Sequence, residues 1–216
     1  MGSKEDILVR LKKHAVDQVE RPEMTFEPLT FFDPLVQFEK IMKAVGGNCV
    51  VLEKGQDVNE VIRNVFPDAK SIASNLPEVT CATVNPDTLD DPRELNGTDV
   101  GVIRGDFGIL ENGMVWINQS TRYKALFFIS EALVILLDRN RLVNNMHEVY
   151  KQPAFDDFGY GCFISGPSKT ADIEQALVIG AHGARAVTVI LEAATRMVNE
   201  FLPEGKLIVY TQGRKY

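Results

Sequence analysis

The sequence is poor in the residue types that bind metals and form disulfides. Its 216 residues include three cysteines and three histidines. Cys49, Cys81 and Cys162 lie far apart beside apolar residues, and no CxxC pair occurs. The chain alone therefore lacks the usual thiolate ligands for zinc or iron–sulfur clusters. We therefore expect no metal and no cofactor in this chain. An odd number of cysteines without the spacing of a disulfide framework indicates a reducing compartment.

Long apolar runs and an excess of basic residues are also missing. The longest apolar runs, 125–129 and 132–137, are far short of a membrane span, and the chain opens with polar and charged residues. A formal net charge of −7 disfavours nucleic acid or an anionic membrane as the main partner. We therefore expect a cytoplasmic protein, whose 45% hydrophobic residues are enough to form a core.

The fingerprints of common nucleotide-binding and hydrolytic enzymes are absent as well. The sequence contains no GxGxxG, no Walker loop, no HExxH and no GxSxG. The tripeptide DFG at 106–108 imitates a kinase motif, but the other kinase elements are missing. The remaining candidates for a functional site are the polar loops of the chain.

The order of apolar segments predicts an α/β fold. Asp33-Pro34 and Asp57 each precede an amphipathic stretch and predict the starts of two helices. The predicted strands are 48–52, 71–73, 81–84, 98–103, 131–137, 160–164 and 186–191. Strands that alternate with helices are typical of a sheet covered on both faces.

Other segments modify this alternation. Glu111-Asn112-Gly113 lies between apolar runs and predicts an inserted β-hairpin, preceded by a loop at 104–108. We expect residues 1–32 to form an N-terminal helical arm, whose apolar stripe must pack on the body or on a partner; a homo-oligomer is therefore an open alternative. Further predicted elements are helices at 138–151 and 193–202 and a closing strand at 206–211.

A first polar loop follows the strand at 160–164. The backbone N–H groups of its Gly-Pro-Ser turn and the hydroxyls of Ser168 and Thr170 are suited to bind a carboxylate or phosphate at a helix N-terminus. Lys169 adds a positive charge. In the alternative interpretation, Thr170 caps that helix and Asp172 complements its dipole.

A second polar loop, 180–185, precedes the strand at 186–191. Its His182 is suited to act as an acid, a base or an orienting donor near neutral pH, although a structural role is the commoner one for a single histidine. Asp106 and Glu111 flank the hairpin as candidate catalytic carboxylates, and turn polarity explains them equally well. The predicted ligand-binding residues are Ser165, Gly166, Ser168, Lys169, Thr170, Asp172, His182, Gly183 and Arg185.

Together the two loops resemble the hallmark of the LUD-domain family, the family of lactate-utilisation protein C. The run ISGPSKTADIE at 164–174 is followed by GAHGAR at 180–185, close to the family pattern Gly-Pro-Ser-Arg/Lys-Thr-Ala-Asp-Ile-Glu and Gly-x-His-Gly-Pro-Arg. Ala184 stands where the family usually has proline. The segment 104–111 departs from the family's central turn, so a role assigned to that turn in relatives does not transfer.

The resemblance implies a three-layer α/β/α sheet of the type found in NagB/RpiA sugar-phosphate isomerases and CoA transferases. It implies that residues 33–216 form the LUD domain, with 193–216 as an extension. It also implies a part in oxidising L-lactate to pyruvate, alongside separate iron–sulfur proteins that carry the clusters. Two alternatives stay open: a stand-alone enzyme acting on a small phosphorylated or acyl substrate, and a non-catalytic scaffold.

Overall fold

The computed structural model describes residues 3–14, 20, 27–152, 159–170, 178–193, 200–201 and 207–208. Its α-helices are α1 Ser3–Lys13, α2 Pro34–Ala44, α3 Val58–Val65, α4 Leu126–Ile129 and α5 Met146–Val149. The main sheet contains β1 Asn48–Val51, β2 Ile72–Ala73, β3 Val100–Gly105, β6 Ala132–Asp138 and β11 Ala186–Glu192. A second sheet contains β4 Phe107–Ile109, β5 Val115–Asn118, β7 Leu142–Val143 and β8 Gly161–Ile164. The remaining strands are β9 Lys169–Thr170, β10 Val178–Ile179, β12 Glu200–Phe201 and β13 Leu207–Ile208.

The main sheet is parallel and has the strand order β1-β11-β6-β3-β2. Its central strand β6 is buried at every position before Asp138, as expected for a parallel strand with both faces covered. Helix α2 packs Phe38 and Met42 on one face, and α3 packs Val61 and Ile62 on the other. The α/β fold predicted from the sequence is therefore confirmed.

The starts of α2 and α3 are confirmed down to their capping contacts. Asp33 Oδ1 accepts a hydrogen bond from Val36 N (3.2 Å), and Asp57 Oδ1 accepts one from Asn59 N (2.9 Å). Such side-chain acceptors satisfy backbone donors that have no partner within the first helical turn. After α2, Gly46 adopts a left-handed conformation (φ 81°) and turns the chain into β1.

The predicted hairpin is confirmed as β4–β5, but the predicted loop at 104–108 is wrong. Arg104 and Gly105 complete β3, and the chain continues almost directly into β4 through Asp106. A Cβ on Gly105 would lie 2.6 Å from Val115 Cγ1, so glycine permits close packing where the chain passes from one sheet to the other. The hairpin thereby extends into the antiparallel ribbon β4-β5-β8, with β7 beside β4.

The helix predicted over 138–151 is wrong, and only α5 forms near its end. Asp138 and Asn145 accept hydrogen bonds from backbone N–H groups two and three residues later, which favours turns over a continuous helix. Between them, Arg139–Arg141 form a short 3-10 helix and Leu142–Val143 form β7, paired with β4. The strand predicted at 81–84 is also wrong, since this segment makes only one isolated bridge, from Val84 to Ala73.

Several predicted segments fall wholly or partly outside the described residues. The helix predicted after Thr170 lies outside the described residues, and the described Lys169 and Thr170 pair with β10. Of the helix predicted over 193–202, the described Glu200–Phe201 is a strand paired with β13. β13 itself agrees with the strand predicted at 206–211.

Helix α1 lies where the sequence predicts a first amphipathic helix, and its apolar residues are exposed. None of its residues is buried, and Ile7 and Leu11 are 54% and 63% exposed. In the part of the chain that the structure describes, no helix has the length and apolar character needed to cross a membrane.

Candidate functional site

The two polar loops predicted from the sequence lie against each other at the amino end of β11. Ser168 N donates to Ala184 O (2.8 Å), and Gly180 N donates to Ser168 O (2.9 Å). The pairing of β9 with β10 continues this contact. Gly183 allows the close approach, because a Cβ there would already lie 3.3 Å from Ser168 Cβ.

A cleft of about 250 Å³ opens between these loops and helix α4. Its lining includes Phe127, Phe128, Phe163, Ser165, Ser168 and His182. An adjoining depression of about 300 Å³ shares His182 and extends to Glu131 and Arg185. Aromatic walls with a few polar groups at the mouth are typical of small-ligand sites. We call the cleft and this depression together the loop cleft.

Three of the predicted ligand-binding residues hold the first loop in place. Ser165 Oγ donates a hydrogen bond to Asn112 O (3.0 Å). Lys169 Nζ donates one to Val45 O, the backbone carbonyl of the C-cap residue of α2. Gly166 (φ 62°) is buried so closely against α2 that a Cβ would lie 2.5 Å from Val45 O. Lys169 is not among the residues that line the loop cleft.

The other predicted residues divide between the ribbon and the surface. Thr170 lies in β9, opposite Val178. Arg185 is 68% exposed and pairs with Glu131, itself 56% exposed, at 2.8 Å. Arg185 N also donates to Glu131 O (2.8 Å), so the pair joins the second loop to the start of β6. Asp172 lies outside the described residues.

Asp106 lies away from His182, whereas Glu111 belongs to the hairpin turn whose Asn112 O accepts a hydrogen bond from Ser165 Oγ of the first loop. Asp106 follows β3 at its carboxyl end, whereas His182 precedes β11 at its amino end, and both strands run parallel to β6. Strands of six or seven residues separate these ends by roughly 20 Å. The structure therefore does not bring Asp106 and His182 into one site.

The two carboxylates differ in their surroundings. Burial raises the pKa of the Asp106 carboxyl, partly offset by the N–H of Asn118, which donates to Asp106 Oδ2 (3.2 Å), and by nearby Arg141 and Arg104. Glu111 Oε1 accepts from Met146 N (2.8 Å) at the start of α5. Glu111 thus has a structural contact at the start of α5, whereas the surroundings of Asp106 raise the pKa of its carboxyl.

The sequence analysis missed a charge cluster at the carboxyl end of the main sheet. Arg104 donates from Nη1 to Glu192 Oε1 and from Nη2 to Glu78 Oε1, and its side chain is 16% exposed. One feature of the sequence could have indicated a buried charge here: Arg104 follows Val102 by two residues in β3, so both side chains lie on the same buried face of the strand. We call Arg104, Glu78 and Glu192 the Arg104 cluster.

A cavity of about 700 Å³ adjoins the Arg104 cluster. The other residues that line it are Leu52, Glu53, Lys54, Gly55, Gln56, Asp57, Val58, Pro77 and Ala193. We call this space the carboxyl-end cavity. Across the described ranges of the chain, no group of three or more His, Cys, Asp or Glu side chains could hold a metal ion.

The parallel sheet and its paired loops define an α/β protein in which one site candidate lies at each end of the strands. Residues 90–191 match the model of the LUD domain family. This segment contains both loops and the strands that position them.

Similar proteins carry related names. Lactate utilization protein C of Oceanobacillus iheyensis is 32% identical over 101 residues, which cover 43% of each chain. The uncharacterized protein YkgG of Escherichia coli is 31% identical over 101 residues, 43% of this chain and 44% of that one. The matches thus span less than half the length of these relatives. A DUF162 family protein from Deinococcus radiodurans shares the fold, with a TM-score of 0.59 at 16% identity over 74% of this chain and 96% of that one.

Proposed function

We propose that the protein acts in L-lactate utilisation, supporting the oxidation of lactate to pyruvate together with separate iron–sulfur proteins. The observation that carries this proposal is the match of residues 90–191, which contain both loops, to the LUD domain model, together with similar proteins named lactate utilization protein C. The lack of CxxC pairs supports assigning electron transfer to partner proteins. A cytoplasmic location is part of the same proposal.

The loop cleft is the proposed binding place for a small carboxylate such as L-lactate. Lactate combines a methyl group with a hydroxyl and a carboxylate, so it needs a small apolar surface beside hydrogen-bond donors. Phe127 and Phe128 supply the apolar surface, and Ser168 and His182 supply polar groups at the mouth. Arg185, beside them in the adjoining depression, contributes guanidinium N–H donors next to its partner Glu131.

Thermal unfolding with L-lactate, D-lactate, pyruvate and phosphate tests this binding. We expect L-lactate to raise the Tm of the wild type and to leave the Tm of His182→Ala unchanged. Lys169→Ala is the matched control, because that side chain contacts Val45 O outside the loop cleft. It should have a lower starting Tm and keep the response to L-lactate. An equal response in His182→Ala, or no response in the wild type, would contradict binding in the loop cleft.

Growth of the source organism tests the cellular role. Deletion of the gene should prevent growth on L-lactate as sole carbon source and permit growth on pyruvate. Wild-type protein should restore growth on lactate, and His182→Ala should not. Restoration by His182→Ala would favour the scaffold alternative, and normal growth of the deletion strain would refute the proposed function.

A further inference from the structure

We propose that the carboxyl-end cavity is a second ligand-binding site, which takes a small molecule with an ammonium group on an apolar body. Its chemistry differs from that of the loop cleft, and it lies at the other end of the parallel strands. The inference does not depend on the role in lactate utilisation.

The position of the cavity is the first support. Leu52 follows β1, Arg104 lies in the last two residues of β3, and Glu192 is the last residue of β11. The cavity therefore lies outside the carboxyl ends of three parallel strands, where open α/β sheets bind their ligands. Its volume of about 700 Å³ also falls within the range of roughly 300–1,000 Å³ typical of small-molecule sites.

The apolar part of the lining determines one half of the ligand. Leu52, Val58, Pro77 and Ala193 contribute apolar surface from three separate segments of the chain. Val58 is buried in the core, and Leu52 packs against the same core cluster. This wall is continuous with the core, so it offers an apolar body of the ligand a surface that is already ordered.

Charge determines the other half of the ligand. The lining contains four carboxylates, Glu53, Asp57, Glu78 and Glu192, and two cations, Lys54 and Arg104, an excess of two negative charges. Hydrogen bonds from Asn59 lower the pKa of the Asp57 carboxyl, so it stays ionised. The cavity thus attracts an ammonium group and repels anions such as lactate.

The Arg104 cluster is costly for a purely structural link. Three partly buried charges lose solvation, and apolar residues of similar size often join such elements at no loss of stability. Recognition of a ligand would explain why the cavity is lined by the Arg104 cluster and not by apolar residues.

Binding of three matched probes to the full chain tests the proposal. Benzylammonium, benzyl alcohol and benzoate share one ring and carry a positive, a neutral and a negative group. We expect saturation-transfer NMR and titration to show the lowest Kd for benzylammonium and the highest for benzoate. Tighter binding of benzoate, or no binding of any probe, would overturn the proposal.

Charge variants place the probe in the cavity. Glu53→Lys removes the negative excess through an exposed side chain and should weaken benzylammonium binding roughly two- to fivefold. Glu60→Lys makes the same change on exposed α3 surface outside the lining and should have no effect. Equal effects of both variants would overturn the proposal. Loss of benzylammonium binding in His182→Ala would place the probe in the loop cleft and also overturn it.

Discussion

The two ends of the parallel sheet hold similar ionisable groups in different surroundings. At the amino end, Arg185 pairs with Glu131 in contact with water, at 68% and 56% exposure. At the carboxyl end, Arg104 is 16% exposed and contacts two carboxylates. The two aspartates that flank β3 differ as well. Backbone hydrogen bonds lower the pKa of the Asp99 carboxyl at the amino end, and burial raises the pKa of the Asp106 carboxyl at the carboxyl end. The ends therefore differ in the environment of each charge, although their residue types match.

The two loops that resemble the family motif and the residues with buried charged groups therefore lie at opposite ends of the sheet. The motif lies at the amino end, and several of its members hold backbone segments together: Ser165 contacts the hairpin, and Gly166 and Lys169 contact the end of α2. The groups with buried charge, Arg104 and Asp106, lie at the other end, in the segment that departs from the family pattern. A motif can identify a family through residues that build a loop.

Gly166→Ala should cause the largest loss of stability and would show how far the motif is architectural. Alanine at φ 62° is strained, and its Cβ would lie 2.5 Å from Val45 O, a backbone atom that cannot move independently of α2. We expect the free energy of unfolding to fall by about 3 kcal/mol, measured by urea denaturation.

Gly55→Ala is the matched control for this effect. Gly55 also has a positive φ, 86°, but no atom lies within 4 Å of its added Cβ. Only the conformational strain applies, so the loss should be about 1 kcal/mol. If both variants lose the same amount, the contact with α2 contributes nothing and the motif loop is not fixed there.

Arg104→Ala should have the second largest effect and tests the contrast between the two ends. It removes the guanidinium that two partly buried carboxylates contact, and we expect a loss of about 2 kcal/mol, below the roughly 3–5 kcal/mol of fully buried pairs. Arg185→Ala, at the exposed pair, should cost at most about 1 kcal/mol. Equal urea midpoints for the two variants would contradict the difference in environment.

Local chemistry explains which parts of the fold could be predicted from the sequence. The starts of α2 and α3 depend on Asp33 and Asp57 beside the residues they cap, and the hairpin depends on Asn112-Gly113. The helix predicted over 138–151 failed because the apolar spacing of that segment is also compatible with pairing to β4. A local pattern does not include the strand that arrives from elsewhere in the chain.

The same limit applies to the sites. The two polar loops are 15 residues or so apart and each shows its character locally, so both were found and the structure brings them together. The Arg104 cluster joins residues separated by 26 and 88 positions. Nothing near Glu78 or Glu192 in the sequence indicates that pairing, which depends on the order of strands in the sheet.

The smallest predicted effect is a difference in pH dependence between Asp106→Asn and Asp99→Asn. A raised carboxyl pKa means that the folded state holds its proton more tightly. The contribution of Asp106 to stability is thus fully present below the unfolded pKa of about 3.9 and is lost as the pH rises through the folded pKa. The stability of Asp106→Asn relative to the wild type should therefore increase as the pH rises from about 4.

Asp99 should behave in the opposite way, because hydrogen bonds from Ser71 N and Lys70 N lower the pKa of its carboxyl. Its contribution is present above the unfolded pKa and is lost as the pH falls through the folded pKa. Asp99→Asn should thus be less stable than the wild type near neutrality, and this deficit should shrink in acid. Urea midpoints measured at about one-unit pH intervals give both curves. Curves with the same sign would mean that the two ends of β3 do not differ in how they hold a charge, since the two substitutions are chemically identical.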